Sequence, residues 1–110
     1  MSMKERDITH IERIKEELNF LQVILQDKNK ETFLSDNIIQ HAVTMALITI
    51  GECVNHLSEG FMGKYAFIEW VKIIAVRNIA AHGYWQLNME QIWQAMEKDI
   101  PQLKDFFDSL

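Results

Sequence analysis

Turn-forming residues are scarce in this sequence. One proline and four glycines serve all 110 residues, whereas an all-β sandwich needs a turn roughly every 8–12 residues. Long helices need few turns, so the shortage points to an all-α chain. Cysteine is nearly absent too. Cys53 has no second cysteine to pair with and no Cys or His neighbour at zinc-finger spacing; in its apolar surroundings it reads as a small buried hydrophobe. No apolar run approaches the roughly 18–20 residues of a membrane span. The charged, polar stretch Met1 to Arg13 does not have the form of a signal peptide. The setting expected is therefore soluble, reducing and cytoplasmic. Basic residues are also in deficit, eleven Lys and Arg against sixteen Asp and Glu, for a formal net charge of −5. Proteins that hold nucleic acid by general phosphate attraction carry a basic face. The deficit argues against DNA binding and against broad RNA affinity, but leaves open a basic site confined to a cleft or assembled by two subunits.

What is present is enough apolar material for a core, 48% hydrophobic against 25% charged, in a length that suits one domain over residues 1–110. Periodicity predicts four main helices with room for a short fifth. In the first, Ile8, Ile11, Ile14, Leu18, Leu21 and Leu25 recur at steps of three and four, and polar Asp27 to Glu31 ends the pattern. The second spans about Asp36 to Ser58, with Ser35 as N-cap and Val43, Ala46, Ile50, Cys53 and Val54 among its apolar set. Gly60 and Gly63 mark Glu59 to Ala66 as a loop. The third runs from about Phe67 to Ala81 and ends at Gly83, a natural C′ residue. The fourth starts at Asn88, with Gln91 in capping-box position, and carries Pro101, which should kink it or restart a turn. Short connections between such helices predict an antiparallel, up-and-down bundle. Apolar excess on the second and fourth helices predicts an exposed patch, and hence a homodimer.

Chemistry concentrates in Val76-Arg77-Asn78-Ile79-Ala80-Ala81-His82-Gly83-Tyr84-Trp85. Arg, Asn, His and Tyr fall within eight residues at the end of an otherwise apolar helix. Positions 77 and 82 lie about 140° apart around an ideal helix, so unwinding at His82 and Gly83 would be needed to bring the imidazole to the arginine's face. Such a pair suits phosphodiester cleavage. A histidine titrating near neutrality serves as general acid or base, and the planar fork of Arg77 matches phosphate oxygens. Asn78 would orient a ribose hydroxyl or a phosphate. The scheme needs no metal or cofactor. The same residues also admit a structural role, with Arg77 paired to an acid on the second helix and His82 capping a helix end. Glu52 and His56 are four apart and form two metal ligands at most, so a local polar pair is the simpler reading.

Arg77, four residues, His82, one residue and Tyr84 match the R-x4-H-x-Y signature of HepT-like proteins of the HEPN superfamily. Ile50-Gly51-Glu52 resembles that family's I-G-E on the second helix. Phe67-Ile68-Glu69-Trp70 resembles the hydrophobic-I-P-W entering the third, with Glu69 where the family has proline. The resemblance covers nearly the whole chain. It implies a dimerising helical bundle, a toxin encoded beside a nucleotidyltransferase antitoxin, and metal-independent endoribonuclease activity using the 2′-hydroxyl as nucleophile. By position, Arg77 and His82 would be catalytic, Asn78 supporting, and Tyr84 the hydroxyl that receives AMP. Glu52 is read as an acid that orients Arg77. Two other functions fit the same residues: a non-catalytic nucleotide- or partner-binding subunit of a nucleotidyltransferase, and a plain dimeric scaffold.

Overall fold

Apolar residues at steps of three and four build helices, and the face they define decides what each helix buries. In the computed structural model, residues 5–83 and 88–110 are described, apart from the side chains of residues 79, 80, 82 and 83. Among them are six helices: α1 (Glu5–Ile24), α2 (Lys30–Ser35), α3 (Asn37–Asn55), α4 (Glu59–Lys64), α5 (Trp70–Gly83) and α6 (Met89–Asp108). The all-α expectation holds, with four long helices as predicted and two short ones between them.

The first helix buries Ile11, Ile14, Leu18 and Leu21 as its periodicity requires. Its stripe begins one residue earlier than expected, because Asp7 and not Ile8 continues that face. Asp7 is 2% exposed and Ile8 is 43% exposed. A buried carboxylate needs partners, and Asp7 finds two: the main-chain N–H of Ser58 donates at 2.7 Å and the Ser58 hydroxyl at 2.6 Å.

Two short helices occupy stretches that read as polar or as loop. Asn29 and Thr32 form a reciprocal capping box that starts α2, and α2 buries Phe33 completely. Asp27, at φ 61°, makes the preceding reversal; aspartate tolerates that left-handed region better than most residues. Ser35 does not cap α3. It closes α2, and Asp36 accepts from the N–H groups of Ile38 and Ile39 instead, one residue later and with a charge suited to a helix N-terminus. Glu59 to Ala66 is also not a simple loop. Ser58 accepts from the Phe61 N–H and starts α4, and burial of Phe61 outweighs the helix cost of Gly60 and Gly63.

The last two helices keep their predicted positions with shifted edges. Trp70, rather than Phe67, opens α5; its indole N–H donates to the carbonyls of Met62 and Tyr65, tying it to α4. Asn88 caps α6 by accepting from the N–H groups of Glu90 and Gln91. Pro101 does not interrupt α6, which runs on to Asp108.

Cross-helix pairs set the directions. Arg6, Asp7 and His10 at the start of α1 meet His56 and Ser58 just past the end of α3, so those two helices run antiparallel. Trp70 at the start of α5 packs on Phe106 and Phe107 near the end of α6, so α5 and α6 do too. The helix α3 lies between α1 and α5 and is buried on both sides. By length and composition alone α3 would pass for a membrane span, contrary to the expectation that no stretch reaches that size. Its apolar character reflects this central position. Its outward face still carries Ile38 and Met45, 82% and 61% exposed.

Candidate functional site

The closest approach of α3 to α5 is set by a missing side chain. A Cβ built on Gly51 would overlap the Cβ of Arg77 and crowd the carbonyl oxygen of Ile73. Only glycine lets the backbone of α3 lie against α5 at this point, and the contact falls on the arginine singled out from the sequence. The next residue, Glu52, then faces the same side chain. Gly-Glu is thus one local device: the glycine brings the helices together and the glutamate meets the guanidinium.

Glu52 Oε2 accepts from Arg77 Nη2 at 2.7 Å, with the two side chains 44% and 28% exposed. Arg77 Nη1 donates to Asn78 Oδ1 at 2.8 Å. Arg77 Nε is buried and has no partner among the described residues. Among the described residues, two of the five guanidinium hydrogens are therefore engaged. The guanidinium, followed by the bond to His56, holds the Glu52 carboxyl below the usual glutamate range, so the acid is ionised at neutral pH. His56 Nε2 meets Glu52 Oε1 at 3.3 Å. The predicted local pair of Glu52 and His56 is present, and no three His, Cys, Asp or Glu side chains among the described residues converge on a common point.

Most of the sequence fits a known family. The family described as "Ribonuclease HepT-like" matches residues 10–110. The chain belongs to the HepT-like ribonuclease family. Its relatives include the "Probable ribonuclease HepT" of Thermococcus cleftensis, 29% identical over 98% of both chains. The "Putative RNase TTE0752" of Caldanaerobacter subterraneus is 30% identical over 86% of this chain and 85% of its own. The "Gamma-glutamylcyclotransferase and putative RNase MJ0434" of Methanocaldococcus jannaschii is 28% identical over 87% of this chain, which spans only 43% of that longer protein. No solved structure matches significantly.

Within this HepT-like chain the structure brings Arg77, Asn78 and Glu52 together. His82 belongs to α5 by its backbone, since the helix runs through Gly83; the unwinding that would bring the imidazole to the arginine's face does not occur before Gly83, and the position of His82 stays about 140° from that of Arg77 around the axis. The His82 side chain and all of Tyr84 lie outside the described residues. Glu69 stands at the α5 entry, where a proline and an acid are both well tolerated because the first N–H groups of a helix have no intrahelical acceptor. Its carboxylate pairs with Lys72 at 3.0 Å.

A cleft of about 620 Å³ lies between α5 and α6, lined by Leu47, Ile50, Ile73, Val76, Ile92 and Ile100 among others. Its lining is chiefly apolar, its one lysine, Lys72, is paired with Glu69, and Arg77 is not part of it. Sequence reasoning missed the packing role of Gly51 and the attachment of His56 to α1. A glycine one residue before an acid inside an apolar helix was the available signal for the first.

Proposed function

We propose that this chain is an endoribonuclease toxin of a toxin–antitoxin pair, acting in the cytoplasm as a homodimer. The observation that carries the reading is the placement of Arg77: it is pinned by Glu52 and Asn78 where α5 crosses Gly51, and among the described residues these take two of its five guanidinium hydrogens, leaving donors for a phosphate. Because His82 lies about 140° from its own Arg77 around α5, the pair is completed across the homodimer: His82 of one copy takes the proton from the ribose 2′-hydroxyl as that oxygen attacks the phosphorus held at Arg77 of the other. The bond to the 5′-oxygen of the next nucleotide breaks, that oxygen takes a proton from water as it leaves, and a 2′,3′-cyclic phosphate remains. Arg77 meets the charge that develops on the non-bridging oxygens, where a preoriented donor contributes most. Asn78 holds the guanidinium from one side and Glu52 from the other.

Acting as a pair would answer two features of the chain. The net charge of −5 supplies no general attraction for RNA, and two copies of Arg77 near a shared face would concentrate positive charge locally. Ile38, Met45 and Glu52 recur every seven residues on α3, so an exposed apolar stripe leads to the site. A nucleotidyltransferase antitoxin that adds AMP to Tyr84 would silence the enzyme by setting phosphate charge and bulk two residues from His82.

Induced expression tests this. Wild-type chain should arrest growth and create new RNA ends, and His82→Ala or Arg77→Ala should do neither although folded. Co-expression of a cognate nucleotidyltransferase should relieve the arrest and leave AMP on Tyr84. The acidic net charge favours one other reading, a non-catalytic binding subunit of a nucleotidyltransferase. That reading gains if a complex and Tyr84 modification form while no RNA ends appear.

A further inference from the structure

At the C-terminal end of α3, His56 stacks on His10 of α1, a pair that the cleavage scheme leaves unused. His56 caps the C-terminus of α3. Its ring lies against that of His10, with centroids 5.3 Å apart and planes 15° from parallel. Its carbonyl oxygen accepts from Arg6 Nε at 2.7 Å. Two residues of α1 therefore hold His56, one by its ring and one by its main chain. The Nε2 edge points at Glu52 Oε1, and the other oxygen of the same carboxylate is bound to Arg77. An ionised carboxylate only accepts, so Nε2 carries the hydrogen in this contact.

A glutamate bound through one oxygen turns freely about its broad terminal torsion. Held through both oxygens from two directions, it turns only by losing a bond. We propose that His56 is a positioning residue for Arg77, acting through Glu52, with Arg6 and His10 of α1 fixing the imidazole. The effect on cleavage rests on the ribonuclease reading; the effect on the geometry of Arg77 does not.

The test compares two amides at position 56. His56→Gln retains an N–H that reaches Glu52, whereas His56→Asn keeps the polarity and falls short. The first measurement is the ¹H–¹⁵N side-chain signal of Arg77, assigned by its loss in Arg77→Lys. The wild type and His56→Gln should show a restrained guanidinium with resolved terminal N–H signals, and His56→Asn an averaged one. The second is steady-state cleavage of an oligoribonucleotide. His56→Asn should lower kcat about fivefold, the worth of one ordinary hydrogen bond, with KM moved less than kcat, and His56→Gln should restore it. An Arg77 signal in His56→Asn identical to that of the wild type would overturn the proposal, whatever the kinetics. Wild-type protein with no cleavage would overturn the ribonuclease reading, while the Arg77 spectrum still decides the role of His56. If His56→Asn does not fold, His10→Ala removes the supporting ring and should loosen Arg77 in the same direction; an unchanged signal there contradicts the proposal.

Discussion

At the scale of single residues, the Glu52–Arg77 pair makes a prediction about pH. A carboxyl pKa lowered by folding means the folded chain keeps Glu52 ionised where the unfolded chain has begun to take up protons. The pair's contribution to stability is then fully present above the ordinary glutamate range and fades as pH falls through and below it. The difference in Tm between the wild type and Glu52→Gln should be largest near neutrality and shrink below about pH 4. Because both side chains are partly exposed, added salt should reduce it as well. Equal differences at pH 7 and pH 3 would contradict this account. Gly51 makes a sharper one. Gly51→Ala places a methyl group where Arg77 Cβ lies, and overpacking of this kind costs about 1–3 kcal/mol. Denaturant melting should show that loss, and Ser at the same position should do no better.

At the scale of helices, the buried Asp7 links three elements. It binds the residue that caps α4, across from the end of α3. Asp7→Ala leaves two donors of Ser58 without their acceptor, and charge-assisted bonds of this type are each worth about 1.5–3 kcal/mol. A loss of that order is expected in chemical denaturation, with faster amide exchange at the start of α4; exchange no faster there than elsewhere would refute the link. This pair also shows why part of the fold escaped the sequence. Periodicity identified α1, α3, α5 and α6 because each has an apolar stripe long enough to register. The helices α2 and α4 have six residues each, less than two turns, and their existence rests on caps and on one buried aromatic apiece. Spacing along α1 gives no reason for an acid at position 7 to be buried. Only the partner 51 residues away, Ser58, explains its burial. For the site, Arg77, Asn78 and Glu52 were legible because polar residues in an apolar helix demand partners. The closeness permitted by Gly51, and the grip of α1 on His56, depend on how helices cross, which spacing along one chain does not encode.

At the scale of the molecule, the core joins two aromatic groups at opposite ends of α6. Trp93 packs against Phe33 near its start, and Phe106 and Phe107 pack against Trp70 near its end. Phe107 is completely buried, so Phe107→Ala should cost about 3–5 kcal/mol. Such a loss is a large fraction of the stability of a domain this size, and cooperative melting should become weak or vanish. The outward stripe of Ile38 and Met45 should behave oppositely. Met45→Lys is expected to leave monomer folding intact and to weaken self-association in sedimentation equilibrium. An unchanged association constant would remove this stripe from the proposed dimer face.

The guanidinium fixed at the α3–α5 crossing is proposed to serve phosphodiester cleavage together with His82. Purified wild-type chain, Arg77→Ala and His82→Ala, each matched for folding by circular dichroism, should be incubated with a defined oligoribonucleotide and with its 2′-O-methyl counterpart. Cleavage by the wild type alone is expected, with products ending in a 2′,3′-cyclic phosphate and none from the methylated strand. Cleavage that persists in both variants, or that proceeds equally on the 2′-O-methyl strand, would contradict it.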